Sequence, residues 1–176
     1  STLIANRYQG AKIDSRSYAS DHLFGWGLID YYYLTGDVDA LEAAQDIGEV
    51  SERIYDWRAP GSDLAYWGTR QPARHLIFST RLYEATLSTR WQTHMQRMGQ
   101  LYLQAPRWDS RGFYPSGSEQ TDMKLHVTGA YASGARQIST FFHTLNSYAL
   151  ERYYNVTGDP TAKARVIAMA NWTKLY

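Results

Sequence analysis

The chain has 176 residues, which is enough for one domain with a sizeable core. Its 18 Lys and Arg residues nearly balance 17 Asp and Glu residues, so no broad electrostatic field attracts nucleic acid. The absence of Cys excludes a disulfide framework and a Cys-bound zinc, and no apolar run approaches the roughly 20 residues of a membrane span.

The spacing of apolar residues predicts an all-α fold of three αα-hairpins. The predicted helices pair as 22–34 with 38–57, 75–85 with 91–103, and 136–156 with 160–175. An irregular stretch, 105–135, separates the second hairpin from the third, and a loop of that length is usually functional or mobile. In the second helix the predicted core-facing stripe is Leu41, Ala44, Ile47, Val50 and Ile54.

The turns of the three hairpins repeat a short motif. Thr35, Thr86 and Thr157 each follow a tyrosine by three residues, and they lie 51 and 71 residues apart. In the outer two hairpins the threonine is followed by Gly and Asp, which suit a left-handed helix end and the cap of the next helix. The middle turn has Leu87 and Ser88 instead, and Ser88 can still cap. The repeat predicts stacked hairpins that bury their faces against each other.

Aromatic residues are abundant, with 15 Tyr, 6 Trp and 5 Phe. Tyr and Trp combine a flat apolar face with a polar tip, which suits the C–H faces and hydroxyls of sugar rings. Most of them are expected in a helical core, and the runs 31–33 and 153–154 are expected in core and turn packing. Aromatic residues in predicted loops, such as Tyr66, Trp67 and Trp108, are the candidates for stacking on sugars.

Segments 27–44, 82–86 and 149–160, which contain the three turns, resemble a signature of α/α-toroid carbohydrate-active enzymes. The likeness is closest to the toroid domain of exo-acting rhamnogalacturonan lyases and extends more distantly to six-hairpin glycosidases. Such toroids use about six hairpins to close a ring. The resemblance therefore implies that residues 1–176 are a single domain forming an arc, a fragment of a larger toroid, in a protein that is extracellular or periplasmic.

The same resemblance implies a substrate groove at the N-terminal ends of the inner helices, where polar and aromatic residues gather. The candidate catalytic residues there are His22, His75, Arg74 and Tyr66. The candidate substrate-binding residues are Asp21, Trp67, Arg70, Trp108, Tyr131, Arg136 and His143. Helix N-termini favour anions, which suits a uronate carboxylate.

Three functions stay open at this point. A polysaccharide lyase needs a cation beside the uronate carboxylate and a base, whereas a glycoside hydrolase usually needs two carboxyl groups. Arg, His and Tyr outnumber carboxylates in the three segments, so the lyase is favoured. The third reading is a non-catalytic helical-repeat scaffold whose partners are further hairpins of the chain or other copies of it. No metal-ligand spacing or phosphate-binding glycine loop is present, so no metal or cofactor is expected.

Overall fold

The computed structural model describes residues 25–57, 70–104, 108–109, 112–113 and 140–174. Its helices in chain order are α1 (Trp26–Thr35), α2 (Val38–Trp57), α3 (Arg70–Thr86), α4 (Thr89–Leu103), α5 (Thr140–Thr157) and α6 (Pro160–Thr173). Two short strands, β1 (Trp108–Asp109) and β2 (Gly112–Phe113), pair antiparallel between α4 and α5. The prediction of an all-α fold built from three hairpins is confirmed.

The three hairpin turns share one backbone geometry. In each turn the threonine hydroxyl donates to the carbonyl four residues earlier, at 2.7 Å, for Thr35, Thr86 and Thr157. The same hydroxyl oxygen then accepts the N–H two residues later, at 3.1 to 3.2 Å. The intervening residue has a positive φ: 73° at Gly36, 50° at Leu87 and 70° at Gly158. The middle turn therefore keeps the glycine geometry although a leucine occupies the position.

The helix caps differ between the outer turns and the middle one. Asp37 Oδ1 accepts the N–H of Asp39 at 3.0 Å, and Asp159 Oδ1 accepts the N–H of Thr161 at 2.8 Å. These two bonds satisfy N–H groups at the starts of α2 and α6. The expectation that Ser88 caps α4 is wrong, because its side chain forms no cap hydrogen bond.

The first helices of the hairpins, α1, α3 and α5, form a row in which each packs against the next, and we call them the leading helices. The return helices α2, α4 and α6 pack against their own leading helices. Buried side chains form two clusters, one between the first two hairpins and one between the last two. Helix α3 contributes to both, through Phe78 and Leu82 to the first and through Leu76 and Ile77 to the second.

The structure corrects the prediction of which side of α2 faces the core. Of the predicted stripe, Ala44 is fully buried, whereas Leu41, Ile47 and Val50 are only partly buried. The most buried row instead contains small residues, namely Ala40, Ala44, Gly48 and Ser51. Small side chains let the neighbouring helices approach closely, so the row nearest to them is not the most apolar one.

Candidate functional site

The leading helices are parallel and in register. Gly25 at the start of α1 lies against the ring of Phe78, and Asp30 further along α1 accepts a hydrogen bond from Arg81. In the next pair of leading helices, Arg152 of α5 donates to Glu84 of α3. Asp30, Arg81 and Arg152 each lie five residues before a turn threonine. The N-terminal ends of the leading helices therefore lie at the same end of the molecule.

Charge is distributed unevenly along the leading helices. None of the three leading helices has an acidic residue in its first turn. The acidic residues of α1, α3 and α5 are Asp30, in the middle of α1, and Glu84 and Glu151, in the halves of α3 and α5 nearer the turns. Helix α3 begins at Arg70, and Arg74 follows one turn later. The dipole of each leading helix adds positive partial charge at its own N-terminus, which favours an anion beside its first turn.

Arg74 and His75 are both buried in α3. Arg74 is 7% exposed and His75 is 1% exposed. The His75 Nδ1 lies 2.6 Å from the hydroxyl oxygen of Ser51 in α2, which is itself buried. A hydroxyl beside an imidazole can act in nucleophilic catalysis, but substrate must reach the hydroxyl. In this arrangement the Ser51–His75 hydrogen bond links α2 to α3 within the core.

His143 is also buried, in the first turn of α5. Its Nε2 donates to the carbonyl oxygen of Met169 in α6 at 2.9 Å. Because a carbonyl oxygen only accepts, Nε2 carries a proton in this arrangement. The contact ties the leading helix of the third hairpin to its return helix.

The other candidate residues are located only in part. Arg70 is the first residue of α3 and Trp108 is the first residue of β1. The remaining candidates lie outside the described residues, namely Asp21, His22, Tyr66, Trp67, Tyr131 and Arg136. The structure thus brings Arg74, His75 and His143 to the same end of the leading helices, and their functional roles stay predictions.

A second polar surface lies nearer the turns and was not predicted. Arg152 Nη1 donates to the Tyr148 hydroxyl at 3.3 Å, in addition to the bond between Arg152 and Glu84. Burial raises the pKa of the Tyr33 hydroxyl, and the nearby Glu84 carboxylate raises it further. Burial and the positive charge of Arg152 lower the pKa of Arg81. The repeat in the sequence could have predicted this surface, since it places Asp30, Arg81 and Arg152 at equivalent positions.

Of residues 31–33, which were expected in core and turn packing, two do not pack in the core. Tyr31 is 51% exposed and Tyr33 is 56% exposed, whereas Tyr32 is partly buried. The same expectation is confirmed for Tyr153, which is buried, and Tyr154 is partly buried. Equivalent aromatic runs therefore have different environments in the first and third hairpins.

Two further properties of the described residues concern metal binding and membranes. Over those residues, no group of three or more His, Asp or Glu side chains is placed to hold a metal ion. No helix there is both long enough and apolar enough to cross a membrane. Comparison of the chain with protein-family models, curated proteins and solved structures found no match in any of the three.

Proposed function

We propose that this chain is part of a carbohydrate-active α/α-hairpin domain that binds a uronate-containing polysaccharide at the N-terminal end of its leading helices. The observation that carries the proposal is the charge of the first turns of the leading helices. Parallel helices point their N-termini there, their first turns lack acidic residues, and Arg70 and Arg74 lie in the first two turns of α3. Carboxylates along a uronic polysaccharide complement such a surface.

The proposed reaction is β-elimination. A lyase stabilises the negative charge that develops beside the uronate carboxylate and removes the adjacent proton with a positioned base. Arg70 suits the first task, and His22 or Tyr66 suits the second. The burial of Arg74 and His75, and the hydrogen bond between His75 and Ser51, favour a supporting role for these residues. They would hold the start of α3 in place rather than touch the reacting sugar.

The test is incubation with polygalacturonate and other uronic polysaccharides while following the ultraviolet absorbance of the conjugated C=C bond that elimination creates. We expect the absorbance to rise, and Arg70→Gln to lower the rate and weaken polysaccharide binding. Arg90→Gln is the matched control, because Arg90 follows the turn at the opposite end of the hairpin. Equal losses in the two variants would contradict a substrate site at the start of α3.

The same assay separates elimination from hydrolysis. Reducing ends released without any rise in absorbance would show hydrolysis, as in six-hairpin glycosidases, and would direct attention to Asp21 and to carboxylates in the segments outside the described residues. Salt-dependent binding of the uronic polysaccharide without either product would leave a binding role only.

A second candidate function is a non-catalytic helical-repeat scaffold. The observation that favours it is the burial of Arg74, His75 and His143. His75 contacts Ser51 and His143 contacts Met169, and each of these two contacts joins a pair of helices. Absence of both turnover and polysaccharide binding in a folded sample would favour this scaffold. Binding that is equally strong for neutral and uronic polysaccharides would contradict the role given to the first turns of the leading helices.

A further inference from the structure

The turns of the three hairpins lie side by side at one end of the molecule, because the leading helices are parallel and pack in a row. We call this end the turn end. Over the first two hairpins it carries three exposed apolar side chains: Leu34 is 85% exposed, Val38 58% and Leu87 75%. Hairpins stack sideways, whereas the turn end faces along the helix axes. A neighbouring hairpin therefore leaves this surface uncovered, however many hairpins the array contains.

Leu87 is an unfavourable residue for its position in the middle turn. Its φ is 50°, and the equivalent residues of the other two turns, Gly36 and Gly158, are glycines. A leucine in this conformation is strained, and its exposed side chain adds little packing within the chain. Local rules of folding are broken most often at sites that have a function. Folding alone favours glycine here, so Leu87 indicates a contact with another molecule.

The outer two hairpins carry opposite charges where their return helices begin at the turn end. The first two turns of α2 contain the exposed carboxylates of Asp39 and Glu42 and no cation, whereas those of α6 contain Lys163 and no carboxylate. A capping aspartate precedes both helices, so it does not contribute to this difference. Asp39, Glu42 and Lys163 form no ion pair within the described part of the chain. The Lys163 Nζ lies 5.7 Å from the centre of the Tyr154 ring, which holds its charge near the turn.

We propose that the turn end binds the turn end of a second copy of this chain, about a two-fold axis that passes through the middle hairpin of each copy. Leu87 then packs against its counterpart in the other copy. The first hairpin of each copy faces the third hairpin of the other, so the start of α2 meets the start of α6. Asp39 and Glu42 thereby lie opposite Lys163, and this charge complementarity identifies the occupant.

Charge selects this axis over the alternative that also joins two turn ends. A two-fold axis along the row of turns places the start of α2 against itself, where carboxylates of like charge repel. The selected contact is isologous, so association stops at the dimer. Its few apolar side chains make it small, and small interfaces are reversible. The N-terminal ends of the leading helices stay uncovered in both copies, so this contact is tested independently of polysaccharide binding.

Sedimentation velocity over a series of protein concentrations measures the association. We expect the wild-type mass to rise towards that of a dimer and not beyond it, and Leu87→Ala to weaken association by at least about tenfold in Kd. Ile167→Ala is the matched control, because Ile167 is a half-exposed aliphatic residue of α6 that lies ten residues after its turn threonine. Both side chains are exposed, so circular dichroism should show unchanged folding. A wild-type protein that stays monomeric up to about 1 mM would overturn the proposal, and so would equal weakening by the two variants.

A mixing experiment decides whether the start of α2 meets the start of α6. Lys163→Asp leaves only carboxylates at both places, and Asp39→Lys combined with Glu42→Lys leaves only cations. Each variant alone should stay monomeric, because like charges then face each other twice in its dimer. Their mixture should form a heterodimer in which both charge contacts are restored, and this heterodimer should weaken as the salt concentration rises. A mixture that stays monomeric, or a Lys163→Asp variant that dimerises as strongly as the wild type, would overturn the proposed axis.

Discussion

Gly99 in α4 lies directly against the ring of Tyr153 in α5. A Cβ at Gly99 would fall 2.7 Å from the Tyr153 hydroxyl oxygen and closer still to the ring carbons. Gly48 is in the same situation, since its Cβ would lie 2.5 Å from Leu82 Cδ1 and 2.6 Å from Trp91 Cη2. Glycine inside a helix normally costs stability, so close packing between hairpins is the physical reason for these two residues.

The first prediction follows from this contact. Gly99→Ala should lower the free energy of unfolding by about 1–3 kcal/mol, because the strain of overpacking exceeds the gain in helix propensity. Gly27→Ala is the matched control: Gly27 is in α1, and its Cβ would meet nothing within 4 Å. It should raise stability by about 0.5–1 kcal/mol. Urea unfolding of both variants checks the prediction, and a stabilised Gly99→Ala variant would contradict it.

The second prediction concerns the middle turn, where Leu87 has a φ of 50°. This left-handed conformation suits glycine and strains a residue with a Cβ. Leu87 is 75% exposed, so its side chain contributes little packing. Leu87→Gly should therefore raise the free energy of unfolding by about 1 kcal/mol.

Leu87→Ala serves as the control for that change. It removes the leucine side chain but keeps the Cβ, so the thermal midpoint should stay near that of the wild type. If Leu87→Ala stabilised the protein as much as Leu87→Gly, relief of backbone strain would not be the explanation.

The sequence predicted the hairpins well because their signals are local. The predicted limits of α2, Val38 and Trp57, are those of the structure. Asp37 caps that helix, and Gly36 ends the preceding one with a positive φ. Such features depend on residues within one turn of each other. Leu87 shows the limit of this reasoning, since there the turn geometry persists without its usual residue because the packed helices on both sides impose it.

The contacts of the candidate site residues could not be predicted from the sequence to the same extent. Arg74 and His75 were chosen because they lie near a helix start, but the rotation of α3 about its axis is set by neighbouring helices. That rotation points both residues into the core, where His75 contacts Ser51. The exposure of Tyr31 likewise depends on the packing of α1 against its neighbours rather than on its own sequence. The local sequence pattern therefore predicted the position of each helix but not which side of the helix is buried.

The third prediction tests the Ser51–His75 hydrogen bond. Ser51→Ala removes a hydroxyl 2.6 Å from His75 Nδ1 in the buried interface between α2 and α3. Loss of a buried hydrogen-bond partner should lower the free energy of unfolding by about 1–3 kcal/mol. Ser147→Ala is the control, because the Ser147 hydroxyl lies 3.6 Å from the sulfur of Met169, a weak acceptor, and should cost less than about 1 kcal/mol.

The measurement for these serine variants is chemical denaturation with the same probe and buffer. Equal losses of stability in Ser51→Ala and Ser147→Ala would show that the Ser51–His75 hydrogen bond makes no specific contribution to the free energy of unfolding. If the protein proves to be a lyase, Ser51→Ala should lose activity only as far as it loses folded protein, because the pair supports α3 rather than contacting substrate. A folded Ser51→Ala variant without activity would contradict that supporting role.

The fourth prediction concerns alkaline pH and Tyr102 in α4. Complete burial raises the pKa of the Tyr102 hydroxyl well above its usual value of 10.0. Above about pH 10 the unfolded chain therefore loses this proton while the folded protein keeps it, and stability falls as pH rises. Below that pH the contribution is fully present. Tyr102→Phe keeps the ring and removes the ionisable group, so its stability should decline less steeply, by about 1.4 kcal/mol per pH unit for one proton.

Urea unfolding of the wild type and Tyr102→Phe at a series of pH values between about 8 and 11 gives the two slopes. The buried Tyr153 also has a raised pKa, through burial first and the charge of Asp159 second, so Tyr102→Phe should retain part of the alkaline decline. Parallel curves for Tyr102→Phe and the wild type would show that Tyr102 does not ionise on unfolding in this range.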